Sequence, residues 1–149
     1  MMINLNIFIA APISGFNDNV LYIKYRENVI SLISILRQKK YVVFSELEKI
    51  NNLVVYDNPE AAILEDFKKI AESDIFILLH PLRMQTSSFI ELGYALAQKK
   101  KIIIISEKEN LPFLALGLPN VIDRVSIIPT NELNQNIIQA ILKIIETNN

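Results

Sequence analysis

Two short, uninterrupted apolar runs constrain the fold of this chain more than any other feature. Ile75–Leu79 and Ile102–Ile105 place apolar side chains at every position, so that neither face of the strand they would form is polar. Such strands are typical of a parallel sheet that helices cover on both sides, whereas a sheet with one wet face shows alternation. The runs therefore predict an α/β protein.

The rest of the chain alternates between strand and helix patterns. Further strands are predicted over Ile3–Ala10, Tyr41–Phe44 and Val125–Ile128, and Ser45–Tyr56 is predicted to be irregular. Two helices are predicted over Val20–Lys40 and Phe89–Lys99. Another is predicted to begin at the start signal Asp57-Asn58-Pro59-Glu60. The last is predicted from an apolar stripe formed by Leu133, Ile137, Ile141 and Ile145. On the first helix we expect Ile23, Ile30, Ile33 and Leu36 to face inward. We predict one Rossmann-like or flavodoxin-like domain over residues 1–149, with a parallel sheet of about five strands and helices on both faces.

Charge and composition exclude several classes of function. The 149 residues carry 15 Lys and Arg against 16 Asp and Glu, so no excess of positive charge is present to neutralise nucleic-acid phosphates. The absence of Cys excludes disulfides, thiolate nucleophiles and zinc sites built on Cys. No apolar run reaches the length of about 18 residues that a membrane-spanning helix needs. We therefore expect a cytoplasmic protein that binds neither nucleic acid nor membrane.

The predicted topology locates the candidate site. In open α/β sheets, ligands bind outside the carboxyl ends of the strands. The loops to inspect therefore follow the first strand from Pro12, the second from Ser45, the third from His80, and the fourth from Ser106. The candidate substrate-binding residues in these loops are Pro12, Ser14, Gly15, Phe16, His80, Ser87 and Ser88.

Glu91 is the first candidate for a catalytic group. It lies one turn into a predicted helix that begins near Ser87 and Ser88, where free backbone N–H groups favour an anion. A carboxylate at that edge can attack or stabilise an electron-poor sugar carbon. The same spacing from Ser88 to Glu91 is also that of a capping box, which needs no function. Both interpretations stay open on spacing alone.

Asp66 is the second candidate. It lies at the edge of the apolar stripe on the second predicted helix, which precedes that of Glu91, with Ile63 and Ile70 as neighbours. It either points into the same cleft as Glu91 or is an ordinary solvated acid. Two carboxyl groups are sufficient for cleavage of a glycosidic bond. We therefore expect a reaction that needs neither a metal nor a cofactor.

Four segments together resemble the nucleoside 2-deoxyribosyltransferase superfamily, in particular its 2'-deoxynucleoside 5'-phosphate N-hydrolase branch. They are Ile7–Gly15, Asp66 ahead of Ser73–Ile77, Glu91–Ala95 and Lys101–Ile104. The resemblance implies cleavage of an N-glycosidic bond, by hydrolysis or by deoxyribosyl transfer. It implies that Glu91 is the nucleophile, which forms a covalent sugar–enzyme intermediate, and that Asp66 contacts the substrate and helps protonate the leaving base.

The resemblance also implies binding and assembly. Ser87 and Ser88 stand where the hydrolase branch holds a phosphate. A homodimer or larger assembly is implied, in which a neighbouring subunit closes the pocket, and the apolar segment Leu111–Leu118 is the candidate contact.

Three departures from the superfamily's patterns keep other functions open. Phe8 stands where the branch has a Tyr, Ser14 stands where it has an Arg, and Gln85–Ser88 lacks the second Asp and the Gly-Thr of the transferases. TIR-type domains, which cleave the nicotinamide–ribose bond of NAD, also have a Ser-rich loop before a Glu-Leu pair. The alternatives are therefore a TIR-like NAD-cleaving enzyme and a non-catalytic nucleotide-binding module.

Overall fold

A five-stranded, all-parallel sheet forms the centre of the molecule. The computed structural model describes residues 4–13, 15–49 and 58–147, except for the side chain of Lys49. Within them, the strands lie in the order β2-β1-β3-β4-β5. Their bounds are β1 Asn6–Ala10, β2 Val42–Phe44, β3 Ile75–Leu79, β4 Lys101–Ile105 and β5 Val125–Ile128. The α/β class and the parallel sheet of about five strands are confirmed.

Six α-helices occur in the described part of the chain. They are α1 Asn19–Gln38, α2 Glu46–Lys49, α3 Pro59–Glu72, α4 Ser88–Ala97, α5 Phe113–Val121 and α6 Gln135–Glu146, with a 3₁₀ turn at Lys108–Asn110. None of the described helices is long and apolar enough to cross a membrane.

The sheet separates two hydrophobic cores. In β1, Ile7 and Ile9 belong to the core that α1 and α6 complete, whereas Phe8 and Ala10 belong to the core of α3, α4 and α5. Successive residues of a strand point to opposite faces, so the apolar runs in β3 and β4 fill both cores in the same way. The prediction of helices on both faces is confirmed.

The buried seam of α1 differs from the predicted one. Its buried residues are Tyr22, Tyr25, Val29, Leu32, Ile33 and Leu36. Ile23, which was expected to face inward, is 48% exposed. The spacing of three and four residues from Tyr22 onward defines the seam, and Ile23 lies one position away from it on the helix surface.

Two helices were not predicted. The short α2 lies within the segment expected to be irregular, of which residues 50–57 lie outside the described residues. The other, α5, follows the buried Leu111 and buries Ala115, but leaves Phe113 and Leu114 87% and 83% exposed. The homo-oligomer contact expected along this segment stays a prediction.

The start signal of α3 is confirmed and generates a prediction about stability. Asn58 caps the helix by accepting a hydrogen bond from the backbone N–H of Ala61 at 2.9 Å, and Pro59 occupies the first helical turn. We expect Asn58→Ala to lower the free energy of unfolding by about 0.5–2 kcal/mol, because the N–H of Ala61 loses its acceptor. Chemical denaturation measures this change. Asn58→Asp, which keeps the acceptor, is the matched control, and equal losses in both variants would contradict the capping role.

Candidate active site

A cavity opens at the carboxyl end of β1, between the ends of β2 and β3. It contains about 520 Å³ of empty space, counted out to its open mouth. Its lining combines apolar residues from β1 and the following loop with acidic and hydroxyl side chains from the surrounding helices. The lining residues are Phe8, Ile9, Ala10, Ala11, Pro12, Ile13, Glu46, Asp66, Thr86, Ser87, Ser88 and Glu91.

Three carboxyl groups from three different helices meet in this cavity. Glu46 begins α2 directly after β2, Asp66 lies midway along α3, and Glu91 lies in the first turn of α4. Glu46 and Asp66 are each only 9% exposed. Asp66 is held inward because Ile70, one turn further along α3, is fully buried against the sheet. Asp66 therefore lines the cavity and is not a solvated surface acid.

Glu91 and Asp66 form a hydrogen-bonded carboxyl pair. Burial, the negative charge of Asp66, the hydrogen bond with Asp66 and the charge of Glu46 together raise the pKa of Glu91 to about 8. A buried carboxyl group and a half-buried one that are hydrogen-bonded to each other cannot both ionise readily, so one of them keeps a proton. At neutral pH the pair therefore holds one proton and one negative charge.

The capping box predicted for Ser88 and Glu91 does not form. Ser87, and not Ser88, occupies the N-cap position of α4, in a helical backbone conformation and without a side-chain capping bond to the described residues. The hydroxyl of Thr86 takes the place of the cap: it accepts a hydrogen bond from the Ser88 N–H and donates one to Ser88 Oγ, both at 3.2 Å. The Glu91 carboxyl is instead bonded to Asp66, so the structural interpretation of this motif is wrong.

The structure brings only part of the predicted substrate-binding set to the cavity. Pro12, Ser87 and Ser88 line it together with the two catalytic candidates. Ser14 lies outside the described residues. Gly15 has a positive φ of 99° and lies beside Met84, away from the lining.

Phe16 and His80 lie in other surroundings. The Phe16 ring packs against Tyr22 and Tyr25 on α1, with centroid distances of 5.3 and 5.1 Å. His80 is 1% exposed, and its Nε2 lies 3.2 Å from the carbonyl oxygen of Asn110. Burial lowers its pKa, so the imidazole is neutral near pH 7. Neither side chain lines the cavity, and their roles in substrate binding stay predictions.

Residues that were not predicted complete the site. Glu46 was not singled out, although it follows directly after the carboxyl end of a strand, which is where the topology rule directs attention. Thr86 was missed because its hydroxyl forms hydrogen bonds with Ser88 only when the loop folds back on the start of α4. Phe8, which the sequence comparison named only as a departure from the branch, lines the cavity with a ring stacked between Phe44 and Phe76, at centroid distances of 5.4 and 5.6 Å.

Phe8 also shows how this site differs from the hydrolase branch that the sequence resembles. The branch has a tyrosine at this position, which touches the catalytic Glu, and Phe8 has no hydroxyl for that contact. The carboxyl group to which Glu91 is hydrogen-bonded is that of Asp66.

Within the described residues, no group of three or more His, Cys, Asp or Glu side chains is arranged to hold a metal ion.

The raised pKa of Glu91 predicts how stability depends on pH. The folded state holds the proton more tightly than the unfolded state, whose Glu titrates near its ordinary value of 4.5. The Glu91 contribution to stability is therefore fully present below about pH 4.5 and is lost as pH rises through about 8. We expect Glu91→Gln, which cannot ionise, to be more stable than the wild type at pH 9 and to approach it at pH 5.

Thermal unfolding of both proteins across this pH range measures the effect. The difference between the two curves isolates Glu91 from other groups that titrate in the same range. A variant that is less stable than the wild type by a similar amount at every pH is the result expected of a helix cap, and it would contradict the buried pair.

Comparison with known proteins adds a structural likeness to this geometry. No protein-family model matches the chain, and no curated protein matches it by sequence. Among solved structures, Clostridium botulinum CMP N-glycosidase, BcmB, is 22% identical and covers 93% of this chain and 98% of its own, with a TM-score of 0.69.

Two further structures are similar. BlsM, known from a solution structure, is 21% identical and covers 96% of this chain and 93% of its own, with a TM-score of 0.74. A conserved protein from Enterococcus faecalis V583 is 17% identical and covers 93% and 98%, with a TM-score of 0.57. The chain therefore has the fold of the CMP N-glycosidase BcmB and of BlsM.

Proposed function

We propose that this protein cleaves the N-glycosidic bond of a nucleoside or nucleotide, with Glu91 as the nucleophile and Asp66 as the acid. The observation that carries the proposal is the hydrogen-bonded Glu91–Asp66 pair in a cavity at the carboxyl end of β1. The shared fold with a CMP N-glycosidase supports the same class of reaction and makes cytidine monophosphate the first substrate to test.

The pair supplies both groups that the reaction needs. Cleavage with a covalent intermediate requires an ionised carboxylate to attack the sugar carbon C1' and a proton for the departing base. A pair that holds one proton and one negative charge contains both, once the proton has moved along the hydrogen bond from Glu91 to Asp66. Glu91 then bonds to C1' as the C1'–N bond breaks, and Asp66 gives its proton to the base.

The second step releases the sugar. Asp66, now ionised, removes a proton from the acceptor as the acceptor attacks C1', and the bond from C1' to Glu91 breaks. Water as the acceptor gives hydrolysis, and a second base gives deoxyribosyl transfer. Both outcomes belong to the proposal.

The hydroxyl groups at the start of α4 suit the sugar or phosphate of the substrate. Thr86, Ser87 and Ser88 line the cavity at the N-terminus of α4, where the helix dipole favours a negatively charged group. The opposite wall, from Ala10 to Ile13, is apolar and offers a surface for the flat face of a base. The arrangement leaves Glu91 between a polar and an apolar side of the cavity.

Loss of either carboxyl group is expected to abolish turnover. We expect Glu91→Gln to lower kcat/KM by at least about 10³-fold because the nucleophile is removed. Asp66→Asn is expected to lower it by about 10²–10⁴-fold because the base leaves unprotonated. Chromatographic detection of the free base from CMP, deoxy-CMP, deoxynucleosides and NAD measures both effects.

The matched control is Glu60→Gln, an exposed acid at the start of α3, which should behave like the wild type. Turnover that survives Glu91→Gln would remove Glu91 from the mechanism. Release of nicotinamide alone would replace the nucleotide proposal by NAD cleavage. EDTA should leave turnover unchanged, because the mechanism uses no metal.

The shared proton also predicts a pH profile. The active form carries one proton on the pair, and that proton is lost as pH rises through the pKa of Glu91 at about 8. We therefore expect kcat/KM to fall above about pH 8, because this parameter reports the ionisation of the free enzyme. Initial rates from pH 5 to 10 test this, and a kcat/KM that keeps rising above pH 8 would contradict a proton-donating pair.

A further inference from the structure

We propose that Glu46 selects the base of the substrate by accepting a hydrogen bond from an exocyclic amino group, so that cytosine- and adenine-type bases are cleaved in preference to uracil and hypoxanthine. The inference rests on the proposed function and gives a role to the one carboxyl group in the cavity that the nucleophile and the acid do not use.

The position of Glu46 is suited to the base rather than to the reacting carbon. β1 lies between β2 and β3 in the sheet, so Glu46, after β2, and Glu91, after β3, reach the cavity from opposite sides of the β1 end. Asp66 is hydrogen-bonded to Glu91, whereas Glu46 acts on Glu91 through its charge. With C1' against Glu91 and a ring nitrogen of the base near Asp66, the far edge of the base is the part within reach of this second acid.

The charge in the cavity favours a donor over an acceptor. The described lining residues include three acids and no Lys, Arg or His. Glu46 is nine-tenths buried, and a buried carboxylate is strongly favoured by groups that donate hydrogen bonds to it. The amino groups of cytosine and adenine are such donors. Uracil and hypoxanthine have a carbonyl oxygen at the same place, which would set two acceptors against each other.

The contact is compatible with the charge balance of bond cleavage. In the first step the C1'–N electron pair passes into the base ring, a proton from Asp66 goes to a ring nitrogen, and a Glu91 oxygen bonds to C1'. The base therefore leaves as a neutral molecule, and its amino group can stay bonded to Glu46 throughout the step. A hydrogen bond made in both the ground state and the transition state raises kcat/KM through binding.

Occupation of Glu46 by an amino group also favours the nucleophile. The negative charge of Glu46 is one of the causes that hold the pKa of Glu91 high. A donor that offsets this charge makes ionisation of Glu91 easier once substrate is bound. Uracil and hypoxanthine, which lack the amino group, provide no such effect.

The wild-type protein alone provides the first test. With identical sugar and phosphate, we expect kcat/KM for CMP to exceed that for UMP, and AMP to exceed IMP, by about 10- to 100-fold, the effect of one hydrogen bond to a charged group. If UMP and IMP are cleaved as well as their amino counterparts, the inference is overturned without any variant.

The second test is Glu46→Gln, which keeps the shape and removes the charge. The CMP-to-UMP ratio should fall by about 10-fold or more. The fall of kcat/KM at high pH should also move to lower pH, because the pKa of Glu91 decreases. The control is Glu48→Gln, two residues further along α2, whose carboxylate pairs with Arg37 outside the cavity and which should leave both measurements unchanged.

The outcomes separate this inference from the function on which it rests. A folded Glu46→Gln that keeps the wild-type CMP-to-UMP ratio overturns the role of Glu46 and leaves the glycosidase proposal intact. If the wild type releases no base from any of the four nucleotides, this inference fails, and the proposed function fails with it only when deoxy-CMP and the deoxynucleosides release no base either. Should Glu46→Gln not fold, Glu46→Asp withdraws the carboxylate by one methylene and must lower kcat/KM for CMP but not for UMP.

Discussion

The site depends on two carboxyl groups, one buried and one half-buried, that share one proton. Ionising both Glu91 and Asp66 would place two negative charges side by side in a partly desolvated cavity, and the pKa of about 8 for Glu91 expresses this cost. A single carboxyl in the same place would provide either a nucleophile or an acid. In the proposed mechanism the pair provides both, and the hydrogen bond between them is the path by which the proton changes place.

Keeping this pair in position lowers the stability of the folded protein. β1 ends between two neighbouring strands, and α3 and α4 each bring one carboxyl to that point. Both helices are anchored by apolar residues, Ile70 on α3 and Leu92 on α4, which are 0% and 4% exposed. The apolar contacts of these two helices therefore keep the two carboxyl groups within hydrogen-bond reach of each other.

The parts of the molecule that were predicted from sequence are those that local patterns determine. The apolar runs of β3 and β4 predict the parallel sheet because such strands are stable only when both faces are covered. Asn58 and Pro59 predict the start of α3 because the cap is formed within one turn. Asp66 and Glu91 were recognisable because each lies at a defined place on a periodic helix, and because their segments resemble a known superfamily.

The parts that were not predicted depend on contacts between distant segments. The Ser88–Glu91 spacing fits a capping box, but Asp66, from another helix, bonds the Glu91 carboxyl and Thr86 takes over the cap. Glu46 lies in a Glu-Leu-Glu-Lys sequence that is typical of a solvated turn, and only the neighbouring end of β1 makes it part of the cavity. His80 comes from a loop that favours exposure, yet the Asn110 carbonyl and the Phe89 ring enclose it.

The most direct measurement of the central claim is the stereochemistry of cleavage in the presence of methanol. Methanol competes with water for the sugar, and NMR identifies the anomer of the methyl glycoside that forms from a β-nucleotide such as CMP. Two successive displacements through a covalent bond to Glu91 retain the configuration, so the account predicts the β-methyl glycoside. The α-methyl glycoside would show that the acceptor attacks C1' directly, and it would contradict Glu91 as the nucleophile.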